Sequence, residues 1–526
     1  MNLVRLNRTR KAAALLLFAF GLASANSPDS DNGQRIYRDG VLSTGEPLTA
    51  IVAGDVPILG TQFSCQSCHG QSGMGAAEGT YIVPPVAGQF LFSESPQPAR
   101  PAYDVQSLAR LLRDGVTPGG RQLDAVMPRY RLDDTAVADL AAYLRDLSSG
   151  WSPGVDDTVI RFATVITDDV STEERDAVMA VLNTFVEEKN RQTRLESERW
   201  DRGYTPASRL PTVHRDWVLE EWQLSGAPDT WDAQLETYYR ANPVFAMLSG
   251  LGDGTWGPVS AFCERNEIPC LFPGVNVTDA QPDDFYTLYY SRGLELEADL
   301  LASHLREQPV TNLVQIYCTE ASQQAALRLQ EGLDGTQVGV RHLRYSCDEA
   351  PPADTISELV TSAGETAIVL WMSQDGVAAF PEEISSGRFY VSSILLDGAF
   401  GEAVASLQGP VFAAHTFRLP GQFDPAFARF NVWAKTREVE LTSPRRQSEA
   451  FFACLAMKDA IAHIGRFFIR DYALDTLDHA QSIVAYLSYY PRPTLGPRQR
   501  FVNKGGYVLE LVDGEPQSQA AEWIVP

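Results

Sequence analysis

The run Cys65-Gln66-Ser67-Cys68-His69 holds the densest chemistry in the chain. C-x-x-C-H supplies two thiols that can form thioether bonds to haem vinyl groups, and the histidine after them is placed to ligate the iron. Two other chemistries use similar residues. A thioredoxin-type C-x-x-C sits in a βαβ context and needs no following histidine. A zinc site needs further Cys or His nearby, and residues 27–150 offer His69 alone. One covalent haem c is therefore expected on Cys65, Cys68 and His69. The sixth iron ligand follows by elimination. The same stretch has two methionines, Met74 and Met127. Met74 is too close to His69, in a glycine-rich run, to reach the opposite haem face. Met127, followed by the stiffening Pro128, is the expected axial sulfur. His/Met ligation favours reduced iron and suits electron transfer.

The elements that must position these residues lie between about 27 and 148. A helix is expected around Gly33–Tyr37. A second, Asp133 to Leu147, is capped by Asp133 or Asp134 and carries Val137, Leu140, Ala141, Leu144 and Leu147 on one apolar stripe. Residues 149–157 read as a turn-prone linker. The run from Cys65 through Gly73, then Pro84-Pro85, LRDGV, MPRY and the helix ending AAYLRDL resembles a class I cytochrome c. That resemblance implies an all-α domain whose first and last helices cross, with Tyr143 packed near Gly33. It implies that the carbonyl of Pro84 or Pro85 orients His69. It also implies Met127 as axial ligand. The segment Gly40 to Gln62 is an addition, expected as a hairpin over a haem edge.

From 158 to 526 the rhythm changes to alternating strands and helices. Strands are expected at Val159–Ile166, Trp217–Gln223, Val244–Leu248, Leu313–Tyr317, Val338–Tyr345, Ala367–Trp371 and Phe389–Leu395. Helices are expected at Thr172–Lys189, Leu294–Glu307 and Ser322–Gly332, and a surface loop at Arg199–Arg215. This pattern means parallel sheets covered by helices. With Ser249-Gly250-Leu251-Gly252, NEIPCLFPG, LVQIYCTE, SILLDGAFGE and a closing hairpin GGYVLELVDGEP, the region resembles a type I periplasmic solute-binding protein of the branched-chain amino acid kind. The resemblance implies two α/β lobes closing on a small organic ligand such as an amino acid or organic acid. It places Gly254, Thr255 and Asn276 at a ligand carboxylate and Asp397 at an amine. The run Asp253-Gly254-Thr255-Trp256 departs from the family's small hydroxyl residues: Asp253 would repel a carboxylate, and Trp256 would favour an aromatic or apolar body. One G-x-G-x-x-G match, Gly252 to Gly257, is weak evidence for a dinucleotide.

The formal net charge of −24 argues against nucleic acid, whose phosphates require a basic face. Residues 1–25 read as a cleaved secretory signal, with Arg5, Arg8, Arg10 and Lys11 before an apolar run and Ala23-Ser24-Ala25 at the cut. The mature chain would reside in the periplasm without a membrane span. In that oxidising compartment Cys263/Cys270 and Cys318/Cys347 are candidate disulfides, and Cys454 reads as a buried apolar residue. The expected function is an electron carrier, not an enzyme, fused to a small-molecule-binding domain. Its redox partner protein would be a periplasmic dehydrogenase or a terminal oxidase chain. The rival is a transport receptor for an ABC permease with the haem as redox regulator.

Overall fold

The computed structural model describes residues 28–526 except 54, 79–80, 97–98, 202–214, 348–350, 360–364, 385–386, 423, 480–488 and 497. The expected signal segment and most of the expected 199–215 loop lie outside the described residues. By spatial proximity the chain divides into two compact units. One takes Met1–Cys65 and Phe92–Asp146; the other takes Gln66–Leu91 and Leu147–Pro526. The segment carrying Cys68 and His69 is thus grouped with the larger unit.

The smaller unit is built on the crossing of its first and last helices, Ser30–Arg38 and Asp134–Asp146. Gly33 permits the crossing. A Cβ there would lie 2.2 Å from the Asp139 carbonyl oxygen and 2.7 Å from Tyr143 Cβ. Asp29 caps the first helix by accepting from the Asp31 and Asn32 N–H groups, and Asp139 Oδ1 accepts from the Asp29 N–H at 2.8 Å. Tyr37 and Tyr143 pack with ring centroids 5.5 Å apart. The all-α expectation needs amendment here. Thr49–Val52 pairs antiparallel with Val56–Leu59, and Arg129–Tyr130 joins them as a third antiparallel strand. The β-branched residues of TAIV and VPIL favour that pairing.

The larger unit has two seven-stranded sheets. In the first, Val159–Thr167 is central, paired in parallel with Asp216–Leu224, Ala246–Leu248 and Leu251–Gly252; Cys270–Leu271, Gly274–Val275 and Thr287–Leu288 extend it. In the second, Gly339–Arg344, Val310–Tyr317, Glu365–Trp371, Arg388–Ser392 and Val411–His415 run parallel, Tyr507–Val512 returns antiparallel, and Glu515–Pro516 closes the edge. The inner strands Val159–Thr167, Val310–Tyr317 and Glu365–Trp371 are rich in buried apolar residues, as in parallel sheets covered on both faces. The helix expected to end at Lys189 continues to Asp201. Both candidate disulfides are formed, Cys263–Cys270 and Cys318–Cys347, while Cys454 is buried outside them. No helix among the described residues is long and apolar enough to cross a membrane.

Candidate functional site

A single helical turn, Gln66–His69, ends in a left-handed turn at Gly70, φ +77°. His69 is buried, and its Nδ1 lies 2.9 Å from the Pro84 carbonyl oxygen. A carbonyl only accepts, so Nδ1 carries the proton and Nε2 keeps its lone pair for a metal. Burial lowers the imidazole pKa, against the opposing effect of the Pro84 contact, and so favours the neutral, ligating form. Of the two prolines expected to orient the ring, the structure selects Pro84. Gly75 makes the approach of that strand possible: its φ is +75°, and a Cβ would lie 2.2 Å from the Val83 carbonyl oxygen. Cys65 and Cys68 stand outside both disulfides. Two cysteines spaced C-x-x-C, followed by a buried neutral histidine with an oriented ring, fit a covalently attached haem. Met74 is packed in an apolar cluster with Ala87 and Ile469.

Met127 is half-buried in a loop of the smaller unit. That loop is held by Arg129, which sequence reasoning missed. Its guanidinium donates to the carbonyls of Met127, Leu123 (2.8 Å) and Asp124 (3.3 Å). Ala50 pairs with Tyr130, so the added strand pair ties down the chain just past Met127-Pro128. Nothing in a single MPRY run announces either restraint.

The cleft residues fare differently. Asp397 and Asn276 meet a pair of arginines from the Pro444–Ile464 helix. Arg445 Nε donates to Asp397 Oδ1 at 2.6 Å, and Arg446 Nη2 donates to Asn276 Oδ1 at 2.9 Å. Arg446 Nε also reaches Glu174 Oε1 at 3.1 Å, and Asn276 Nδ2 donates to Asp253 Oδ1 at 3.1 Å. Glu449 completes the cluster, accepting at Oε1 from Tyr490 Oη at 2.8 Å; its buried Oε2 has no hydrogen-bond partner among the described residues and lies 3.8 Å from Arg446 Nη1. Gly254 donates to Asp169 Oδ2 at 2.7 Å, and the Thr255 hydroxyl bonds Asp279. Trp256 is corrected: it is 1% exposed and fills the first lobe's core beside Val165 and Met247. Gly250 and Gly252 stay bare because Cβ atoms there would meet this indole at 2.8 and 3.3 Å. The turn therefore makes room for a ring at Gly250 and Gly252. The arginines had a sequence signal. Basic residues in a first helical turn oppose the macrodipole, and PRRQSE places two there.

A cytochrome c family model matches residues 59–148. No curated protein matches the chain. Among solved structures, a possible leucine/isoleucine/valine-binding protein from Rhodopirellula baltica is similar at TM-score 0.50 and 12% identity, over 70% of this chain and 98% of that one. A branched chain amino acid ABC transporter from Thermus thermophilus with bound valine is similar at TM-score 0.50 and 10% identity, over 70% and 98%. At that identity the likeness establishes fold. The chain thus joins a cytochrome c domain, matched at residues 59–148, to a larger part with the two-lobed α/β fold of type I periplasmic binding proteins.

Proposed function

We propose that the chain is a periplasmic electron carrier with one covalent c-type haem and a fused small-molecule-binding domain. The reading rests chiefly on His69, whose Nδ1 faces the Pro84 carbonyl and leaves Nε2 for the metal. Cys65 and Cys68 would hold the haem covalently, and Met127 would close the remaining iron position, which disfavours substrate chemistry there. When bound, the haem supplies a one-electron Fe(III)/Fe(II) couple. Pro84 orients the histidine, and Arg129 holds the Met127 loop. The net charge of −24 suits a redox partner with a basic docking face, such as a periplasmic dehydrogenase, through steering that salt would weaken.

The test is a haem count and spectrum of the purified protein with its Cys65→Ser/Cys68→Ser variant. One covalent haem per chain, low-spin in both redox states and lost in the variant, supports the carrier. A haem-free wild type, or one with five-coordinate iron that binds small ligands freely, overturns it.

A further inference from the structure

The loop that follows His69 is held by a residue some four hundred positions downstream. Asp475 lies on the Arg470–His479 helix and is buried. Its carboxylate accepts from the Gln71 N–H at 2.9 Å, the Ser72 N–H at 2.9 Å and the Ser72 hydroxyl at 2.6 Å. Gly70 is forced to lack a side chain, because a Cβ would lie 2.5 Å from Asp475 Oδ2. Burying a carboxylate is costly unless charge-assisted donors surround it, and the haem loop supplies all three named here.

The helix that bears Asp475 is itself fastened at both ends to the first lobe. At its start, Arg470 donates to the carbonyls of Phe245 (3.1 Å), Val244 (2.6 Å), Asn266 (3.0 Å) and Glu267 (3.1 Å). At its end, Asp478 forms a buried pair with Arg500 at 2.6 Å. Tyr286 Oη donates to Asp471 Oδ1 at 2.8 Å. The helix has little freedom, so Asp475 presents a fixed charge to a fixed loop.

We propose that Asp475 is a positioning residue through which the α/β domain sets the haem's reduction potential: it locks the backbone after His69 and holds one negative charge beside it. Reduction adds one electron at the iron, and a nearby fixed negative charge opposes that addition. This inference rests on the carrier reading above, and the haem count separates the two.

The experiment uses the full-length, haem-loaded protein at pH 8, where Asp475 is ionised; burial pushes its pKa up to about 6. Asp475→Asn should retain one haem per chain and raise the midpoint potential. The ferrous/ferric ratio at fixed ambient potential should increase about tenfold, about 59 mV for one electron. The amides of residues 71 and 72 should exchange faster. Ser72→Ala keeps the charge and removes one donor; it should quicken the same amides while moving the ratio less than about twofold. A folded, haem-bearing Asp475→Asn protein with the wild-type potential overturns the proposal. So does unchanged amide exchange in Ser72→Ala, which decides the matter if the aspartate variant fails to fold. A wild type lacking haem overturns the carrier reading and this inference together.

Discussion

Arg445 Nε stands 2.6 Å from Asp397 Oδ1 while its Nη1 reaches Glu449 Oε1 at 3.4 Å, so one guanidinium joins an exposed carboxylate to a buried one. The two partners are not equivalent: the Asp397 side chain is 44% exposed and that of Glu449 is 3% exposed. Water can replace Arg445 at Asp397 but not at Glu449. Arg445→Met should therefore destabilise the α/β unit by about 3 kcal/mol, as expected when one partner of a buried pair is removed. Asp397→Asn should cost less than about 1 kcal/mol. Urea unfolding followed by tryptophan fluorescence checks both, and equal losses would contradict the assignment.

Gly75 controls the haem-side histidine through the backbone. Its φ is +75°, and any Cβ added there would lie 2.2 Å from Val83 O and 2.9 Å from Pro84 C, so no side chain fits without displacing the Pro84 carbonyl. Gly75→Ala should combine backbone strain of about 1–3 kcal/mol with a loosened His69 ring. The expected result is a lower yield of covalent haem and a shifted potential in what is recovered. Haem content per chain and the redox titration measure these effects; a variant with full haem and an unaltered potential would remove Gly75 from this role.

Local signals carried far in this chain. The apolar stripe of the Asp134–Asp146 helix and the β-branched run at Val159–Thr167 are each written within a few residues, and each formed where periodicity placed it. Trp256 misled because a turn residue can face a cleft or fold back under its own glycines, and periodicity does not distinguish the two. Asp475 was silent for another reason. Its role exists only through a partner at Ser72, which tertiary packing alone brings to it.

Glu297 gives the α/β unit a pH dependence whose sign can be worked out. It is fully buried, accepts from Ser393 Oγ at 2.7 Å and Ile394 N at 3.1 Å, and also bonds the Ser392 hydroxyl. Burial raises its pKa from 4.5 to about 7 despite those donors. A carboxyl whose folded pKa is raised binds its proton more tightly in the folded state. Its stabilising effect is full below about 4.5 and is lost as pH rises through about 7. Asp478, raised by burial to about 6, acts in the same sense. Unfolding free energy should therefore fall from pH 4.5 to 7, and Glu297→Gln should flatten that fall. Denaturant midpoints across the range test this, on a scale of about 1.4 kcal/mol for each tenfold difference in proton affinity between folded and unfolded chain. A slope unchanged in Glu297→Gln would mean that the group is already ionised in the fold.

Whether a cleft ligand can reach the haem depends on where each attaches to the first lobe. Asn276 and Asp253 follow the C-terminal ends of the strands Gly274–Val275 and Leu251–Gly252. Arg470, which fixes the helix bearing Asp475, grips Val244 and Phe245, just before the N-terminal end of Ala246–Leu248. The two attachments thus lie at opposite ends of one parallel sheet, whose central nine-residue strand spans roughly 30 Å. A ligand bound at the arginine cluster would rearrange that end of the sheet and leave the Asp475 end in place. Linkage is reciprocal, so a ligand that does not move the haem loop cannot shift the potential. The expected outcome is that a pool of amino acids and organic acids raises the melting temperature of the α/β unit while the midpoint potential stays within about a twofold change in ferrous/ferric ratio, about 18 mV on the one-electron scale. A larger shift would show that ligand binding is transmitted through the sheet to Asp475, and Asp475→Asn should then abolish it.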